Sequence, residues 1–126
     1  VDITNPQFNR WEYPELHHDF QTILCTEVLE HTPPAPLISA ILTHFCMQPD
    51  SSYTFIMTCA GPARKSHSAD GAPTLKAGEY YKNVDPLELS ELLYMAIPGL
   101  STRKVTVWTS IDSTDVYAVA QYYKIV

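Results

Sequence analysis

Five histidines, three cysteines and fourteen acidic residues are the groups of this 126-residue chain that could carry chemistry. Cys59 stands at the end of an apolar run, just before Ala60-Gly61, where a nucleophile could sit with a histidine as its base. That arrangement would make a Cys/His hydrolase; the alternative is a core thiol closing a buried strand, which is chemically inert. Cys25, Cys46 and Cys59 are odd in number and lack CxxC spacing, which argues against a disulfide framework and against a thiolate zinc site. His17-His18-Asp19 reads as a solvated pair, because adjacent imidazoles point to opposite sides of a strand and sit about 100° apart on a helix. Glu27 with Glu30, and Glu88 with Glu91, read as solvated faces and a helix start. The chain contains no GxSxG, no phosphate-binding glycine loop and no HExxH zinc motif. Each of those mechanisms therefore lacks its geometric seed, and the chain reads as a non-enzyme.

Chemistry of contact has a better candidate. Residues 61 to 78 form the longest stretch without apolar periodicity, punctuated by Gly61-Pro62, Asp70-Gly71, Ala72-Pro73 and Ala77-Gly78. A connection this long inside a compact domain is either functional or mobile, since its backbone polar groups hold it at the surface. It carries Arg64, Lys65, His67 and Asp70, so it is read either as a solvated loop or as a presented recognition surface. The net charge of −6 repels phosphate backbones, so nucleic acid is not an expected partner. No apolar run reaches the roughly 18 to 20 residues that a membrane span needs, so no insertion is expected.

These groups must be positioned by a sheet and helices. Val105, Val107, Thr109 and Ile111 alternate with Lys104, Thr106, Trp108 and Ser110, a period-two strand. Asp112 to Asp115 supplies turn chemistry, and 116 to 126 runs extended again, which predicts a closing β-hairpin. Residues 20 to 29 read as a central strand, apolar on both faces, and 53 to 60 as a buried one. Residues 37 to 47 fit a helical stripe behind Pro36, although their β-branched content leaves strand open. Residues 79 to 83 read as a short strand. Asp85, Pro86 and Glu88 announce a capped helix with Leu89, Leu92, Leu93 and Ala96 on one side. With 45% apolar and 17% charged residues, the length suits one globular domain spanning 1–126. Residues 1–15, interrupted by Pro6 and Pro14, suit a connector arm with aromatic anchors. The expected fold is mainly β, an antiparallel sheet or sandwich-like domain with one or two short helices; α+β is the alternative.

His18-Asp19-Phe20-Gln21-Thr22-Ile23-Leu24, followed by a Thr/Pro-rich break, resembles the opening of the protruding spike domain of nodavirus capsid proteins. Gly78-Glu79-Tyr80-Tyr81 with an Asp-Pro behind it resembles the same family, over about a fifth of the chain. The resemblance implies a C-terminal surface domain cut from a longer capsid chain, located on the virion surface. It would form homodimeric spikes and contact a host-cell receptor. In related fish-virus spikes closely spaced aspartates bind calcium, and the nearest counterparts here are Asp112 and Asp115, which are otherwise turn residues. Two carboxylates fall short of the six to eight oxygens that Ca²⁺ takes, so carbonyls, water or a second subunit would complete the shell. The rival readings are a soluble cytoplasmic α+β interaction or ligand-binding module of a cellular protein, and the Cys/His hydrolase.

Overall fold

The computed structural model describes residues 4–9, 12, 22–45, 52–96 and 101–124. The elements run β1 (Thr22–Thr26), α1 (Pro34–Phe45), β2 (Tyr53–Ala60), α2 (Pro86–Met95), β3 (Ser101–Thr109) and β4 (Asp115–Lys124). They build one four-stranded mixed sheet in the order β1-β2-β4-β3 with two helices, a small α+β domain in which strands predominate. β1 pairs parallel to β2 across the α1 crossover, whereas β2–β4 and β3–β4 are antiparallel. Among the described residues no helix is long and apolar enough to cross a membrane.

The alternation in sequence decides which face is covered. Tyr53, Phe55, Met57 and Cys59 of β2 and Val116, Ala118, Ala120 and Tyr122 of β4 all point to the helical side and are buried. Register places Phe55 beside Ala120 and Met57 beside Ala118, so each large side chain of β2 lies next to a small one on β4. Such interdigitation of large and small groups fills a core at native density. Leu37, Ile38 and Ile41 of α1 and Leu89 and Leu93 of α2 close the layer from above. α2 begins where the sequence predicts: Asp85 accepts a hydrogen bond from Leu87 N at 3.1 Å, and Pro86 takes the first turn, where its missing N–H costs nothing. At the other end Tyr122 Oη donates to Leu93 O at 2.6 Å, satisfying one of the last carbonyls of the helix and fastening it to β4.

Among the described residues, no helix covers the opposite face of the sheet. Leu24, Ile56, Val119 and Thr106 line up across the four strands, with Thr26, Thr58, Tyr117 and Trp108 as the next row. Trp108 and Tyr117 stack at 5.7 Å. Leu24 is 68% exposed, Trp108 46% and Tyr123 42%.

Three expectations need correcting, and one open alternative is decided. β1 lies at an edge of the sheet rather than its centre; its Leu24 side looks apolar because it belongs to the open face. The stretch 37 to 47 is helical from Pro34 to Phe45, its buried stripe prevailing over β-branched content, while 46 and 47 lie outside the described residues. Residues 79 to 83 are not a strand, because Lys82 N and Val84 N donate to Glu30 O and Ala60 O instead of to a continuous ladder. Ile111 leaves the alternation and sits fully exposed in the turn after β3. His17, His18 and Cys46 lie outside the described residues, as does most of the connector arm, of which Phe8 meets the His44 ring of α1 at 4.8 Å.

Candidate functional site

The connection from β2 to α2 leaves the sheet at Gly61 and returns at Val84, where Val84 N donates to Ala60 O at 2.8 Å and closes the neck. Gly61 N and Ala63 N donate to Thr114 O and Ser113 O of the β3–β4 turn, so the neck is sewn to the hairpin. Arg64 reinforces this seam. Its guanidinium pairs with Asp115, lies 3.6 Å from Glu27, and donates through Nε to Thr114 O at 3.2 Å. From the returning limb of the loop, Asn83 Nδ2 donates to Pro62 O and Arg64 O at 3.1 and 3.0 Å.

The tip is bonded as thoroughly. Ser68 N donates to Ala72 O and Gly71 N to Ser68 O, a turn that needs the left-handed φ of 88° at Gly71. Glu79 gathers the segment: Oε1 accepts from Ser68 Oγ and Ala69 N, and Oε2 from Lys76 N, at 2.7 to 3.0 Å. These amides hold the Glu79 carboxyl below the usual carboxylate range. Asp70 receives Lys76 Nζ at 2.7 Å and Ala72 N at 2.9 Å, and the Lys76 hydrogen bond, then that amide, bring its carboxyl down to about 2. A carboxyl depressed in the folded state contributes stability that is complete above its unfolded range near pH 4 and is lost as pH falls toward 2. Acidification from pH 5 to pH 2 should therefore move the Gly71 and Ala72 amide resonances in step with Asp70, before sheet resonances change. Amides that stay fixed until the whole domain unfolds would refute the contribution of Asp70.

Beneath the loop lies its least ordinary feature. The β1–α1 turn, closed by His31 N donating to Val28 O, places Glu30 under the loop, and Lys82 N donates to the Glu30 carbonyl at 2.9 Å. The Glu30 side chain is completely buried, and neither carboxylate oxygen has a hydrogen-bond partner among the described residues. His31 Nε2 lies 3.9 Å and His67 Nε2 4.0 Å from Glu30 Oε1, and the two Nε2 atoms face each other at 3.2 Å. Tyr81 sets its ring edge-on to both imidazoles, at 5.5 and 5.2 Å, and its hydroxyl reaches Lys65 O at 3.4 Å. Burial, then repulsion from Glu30, pushes the Tyr81 phenol upward. Glu27 is raised by burial first, then by the neighbouring Glu30 carboxyl. His67 opens onto a shallow depression of about 710 Å³ shared with Arg64, Lys65 and Gly71.

The structure thus sorts the residues singled out from sequence. Arg64 and Asp70 hold the loop together, His67 turns under it to His31, and Lys65 remains exposed at the surface. Asp112 Oδ1 accepts from Ser110 Oγ, Thr114 N and Thr114 Oγ1, which keeps its carboxyl down to about 2; Asp115 faces the Arg64 guanidinium. Burial pushes the Cys59 thiol up to about 12 and the Cys25 thiol up to about 11, which holds both in the neutral, unreactive form. Glu30, His31 and Tyr81 were not legible as a site. Glu30 in particular is the reverse of the solvated carboxylate its sequence suggests, because only the folding of 67 and 81 over it removes it from water. Comparison with protein families, with curated proteins and with solved structures finds no match to this chain.

Proposed function

We propose that this chain is a non-enzymatic contact domain, a sheet-and-helix platform that presents the loop 61–84 to a partner's surface. The observation that carries the reading is the loop's own bonding. A segment without regular structure is fixed at neck, middle and tip, while Lys65, Ser66, Asp70, Pro73, Tyr80 and Lys82 stay exposed on it. A surface ordered before contact avoids the entropic cost of ordering on binding, and an exposed tyrosine offers large amphipathic area with few rotamers to lose. Following the spike resemblance, the partner is a host-cell receptor and the domain stands on a virion surface. Lys65→Glu combined with Tyr80→Ala should leave folding intact and reduce retention of the labelled domain on host cells by at least about tenfold. Equal retention by both forms would overturn the assignment of the contact surface to this loop.

The sheet face that no helix covers among the described residues supports the second half of the reading, a two-fold spike. Its apolar rows, Leu24-Ile56-Val119 beside Tyr117-Trp108, suit a self-complementary contact with another copy of the chain. Sedimentation should show a monomer–dimer equilibrium in the micromolar range. Leu24→Asp with Trp108→Ala, both at exposed positions, should leave monomers with unchanged melting of the protomer. A wild-type monomer at every concentration would contradict the spike and favour a cellular interaction module.

A further inference from the structure

We propose that Glu30, His31 and His67 form a binding site for a transition-metal dication of the zinc type, which fastens the loop 61–84 to the β1–α1 turn. The inference goes beyond the contact role and stands without it. Three donor atoms, His31 Nε2, His67 Nε2 and Glu30 Oε1, are separated by 3.2, 3.9 and 4.0 Å. The nearest point equidistant from all three, in their common plane, lies about 2.2 Å from each, against bonds of roughly 2.0 to 2.2 Å from Zn²⁺ to imidazole nitrogen or carboxylate oxygen. Two imidazoles and one carboxylate suit zinc, whereas Ca²⁺ and Mg²⁺ take oxygen shells.

Protonation chemistry points the same way. His67 Nδ1 lies 3.3 Å from Lys65 O, an acceptor, so this nitrogen carries the proton and leaves the lone pair of Nε2 directed at His31. A backbone carbonyl fixing the tautomer in this manner is the usual outer support of a metal-bound histidine. The edge-on ring of Tyr81 holds both imidazoles, and its hydroxyl shares the same carbonyl. Glu30 supplies the second, independent observation. A carboxylate removed from water without donors is costly, and at 3.9 and 4.0 Å the imidazoles are beyond hydrogen-bonding reach of it. A cation between the three compensates the charge and takes the place of the proton that the 3.2 Å hydrogen bond between the two Nε2 atoms carries, engaging both nitrogens at once. The partial exposure of His67 toward the depression beside Lys65 and Gly71 leaves a fourth position for water or for a partner's donor.

The experiment is a titration of chelator-treated protein with ZnCl₂ alone, read by competition with a chromogenic chelator, and repeated with CoCl₂ for the visible bands of four-coordinate Co²⁺. Wild-type protein should bind one equivalent with a dissociation constant in the micromolar range or below. His67→Ala, a change at a half-buried position whose folding is checked by circular dichroism, should weaken binding by about 100-fold and abolish the four-coordinate Co²⁺ spectrum. His31→Ala should do the same. Absence of stoichiometric binding by the wild type, or unchanged affinity in both histidine variants, would overturn the site; the second result would move the zinc to other histidines of the chain. Glu30→Gln, which keeps the shape and removes the charge, should bind zinc at least about tenfold more weakly than wild type, and equal binding would count against Glu30 as a ligand.

Discussion

Phe55→Ala is expected to lower the unfolding free energy by about 3 to 5 kcal/mol, the range for emptying a buried aromatic position. Phe55 is fully buried at the middle of β2, between Ile23 on β1 and Ala120 on β4, with the Tyr122 ring 5.3 Å away. Its direct β4 partner, Ala120, is too short to fill the space, and Tyr122 is held by its bond to Leu93 O. The cavity would therefore stay open instead of collapsing, which puts the cost at the upper end of the range. For a domain of this length the midpoint of thermal unfolding should fall by roughly 10 to 20 °C, with the urea m-value unchanged. A loss under about 1 kcal/mol would mean that the helices do not close on this strand as described.

Gly61→Ala should cost about 2 to 3 kcal/mol, for a different reason. A Cβ at this position would stand 2.5 Å from Ser113 O and 3.2 Å from Asp115 N. Both are backbone atoms of the hairpin, and the Gly61 and Ala63 amides are bonded to that same turn, so neither side can yield without breaking the seam. The requirement is for the absence of a side chain, not for an unusual torsion. Gly71→Ala makes the contrast: its surroundings are open, but φ is 88°, so the cost is the torsional one of roughly 1 to 2 kcal/mol. Urea unfolding of the two variants separates the cases. A neutral Gly61→Ala would show that the loop neck and the hairpin turn are not in contact.

What could be read from the chain beforehand follows from how local each signal is. β2, the closing hairpin and α2 announce themselves because each is signalled within its own short stretch of chain, by an apolar run, by alternation around a turn, and by a capping aspartate with a leucine stripe. The parallel pairing of β1 with β2 does not, since it depends on a crossover of more than twenty residues and on which strand ends at the sheet's edge. The loop illustrates the same limit. Its glycines and prolines mark it as a loop, yet its order depends on Glu79, Asn83 and Arg64 meeting partners far along the chain. Glu30 is the extreme instance: a glutamate next to a histidine reads as solvated, and becomes buried only when 67 and 81, more than thirty residues later, fold across it. The open sheet face was half visible, in the Trp108 that breaks an otherwise polar side of β3.

The central claim is that the 61–84 segment is held in one conformation on its platform before any partner arrives. Native-state hydrogen exchange of the free domain at neutral pH tests it most directly. The amides of Ser68, Gly71, Ala72, Lys76, Lys82 and Val84, each a donor or neighbour in the loop's bonding, should exchange at least about a hundredfold more slowly than in an unfolded chain. Exchange of these amides at the unfolded-chain rate, with β2 and β4 still protected, would contradict it.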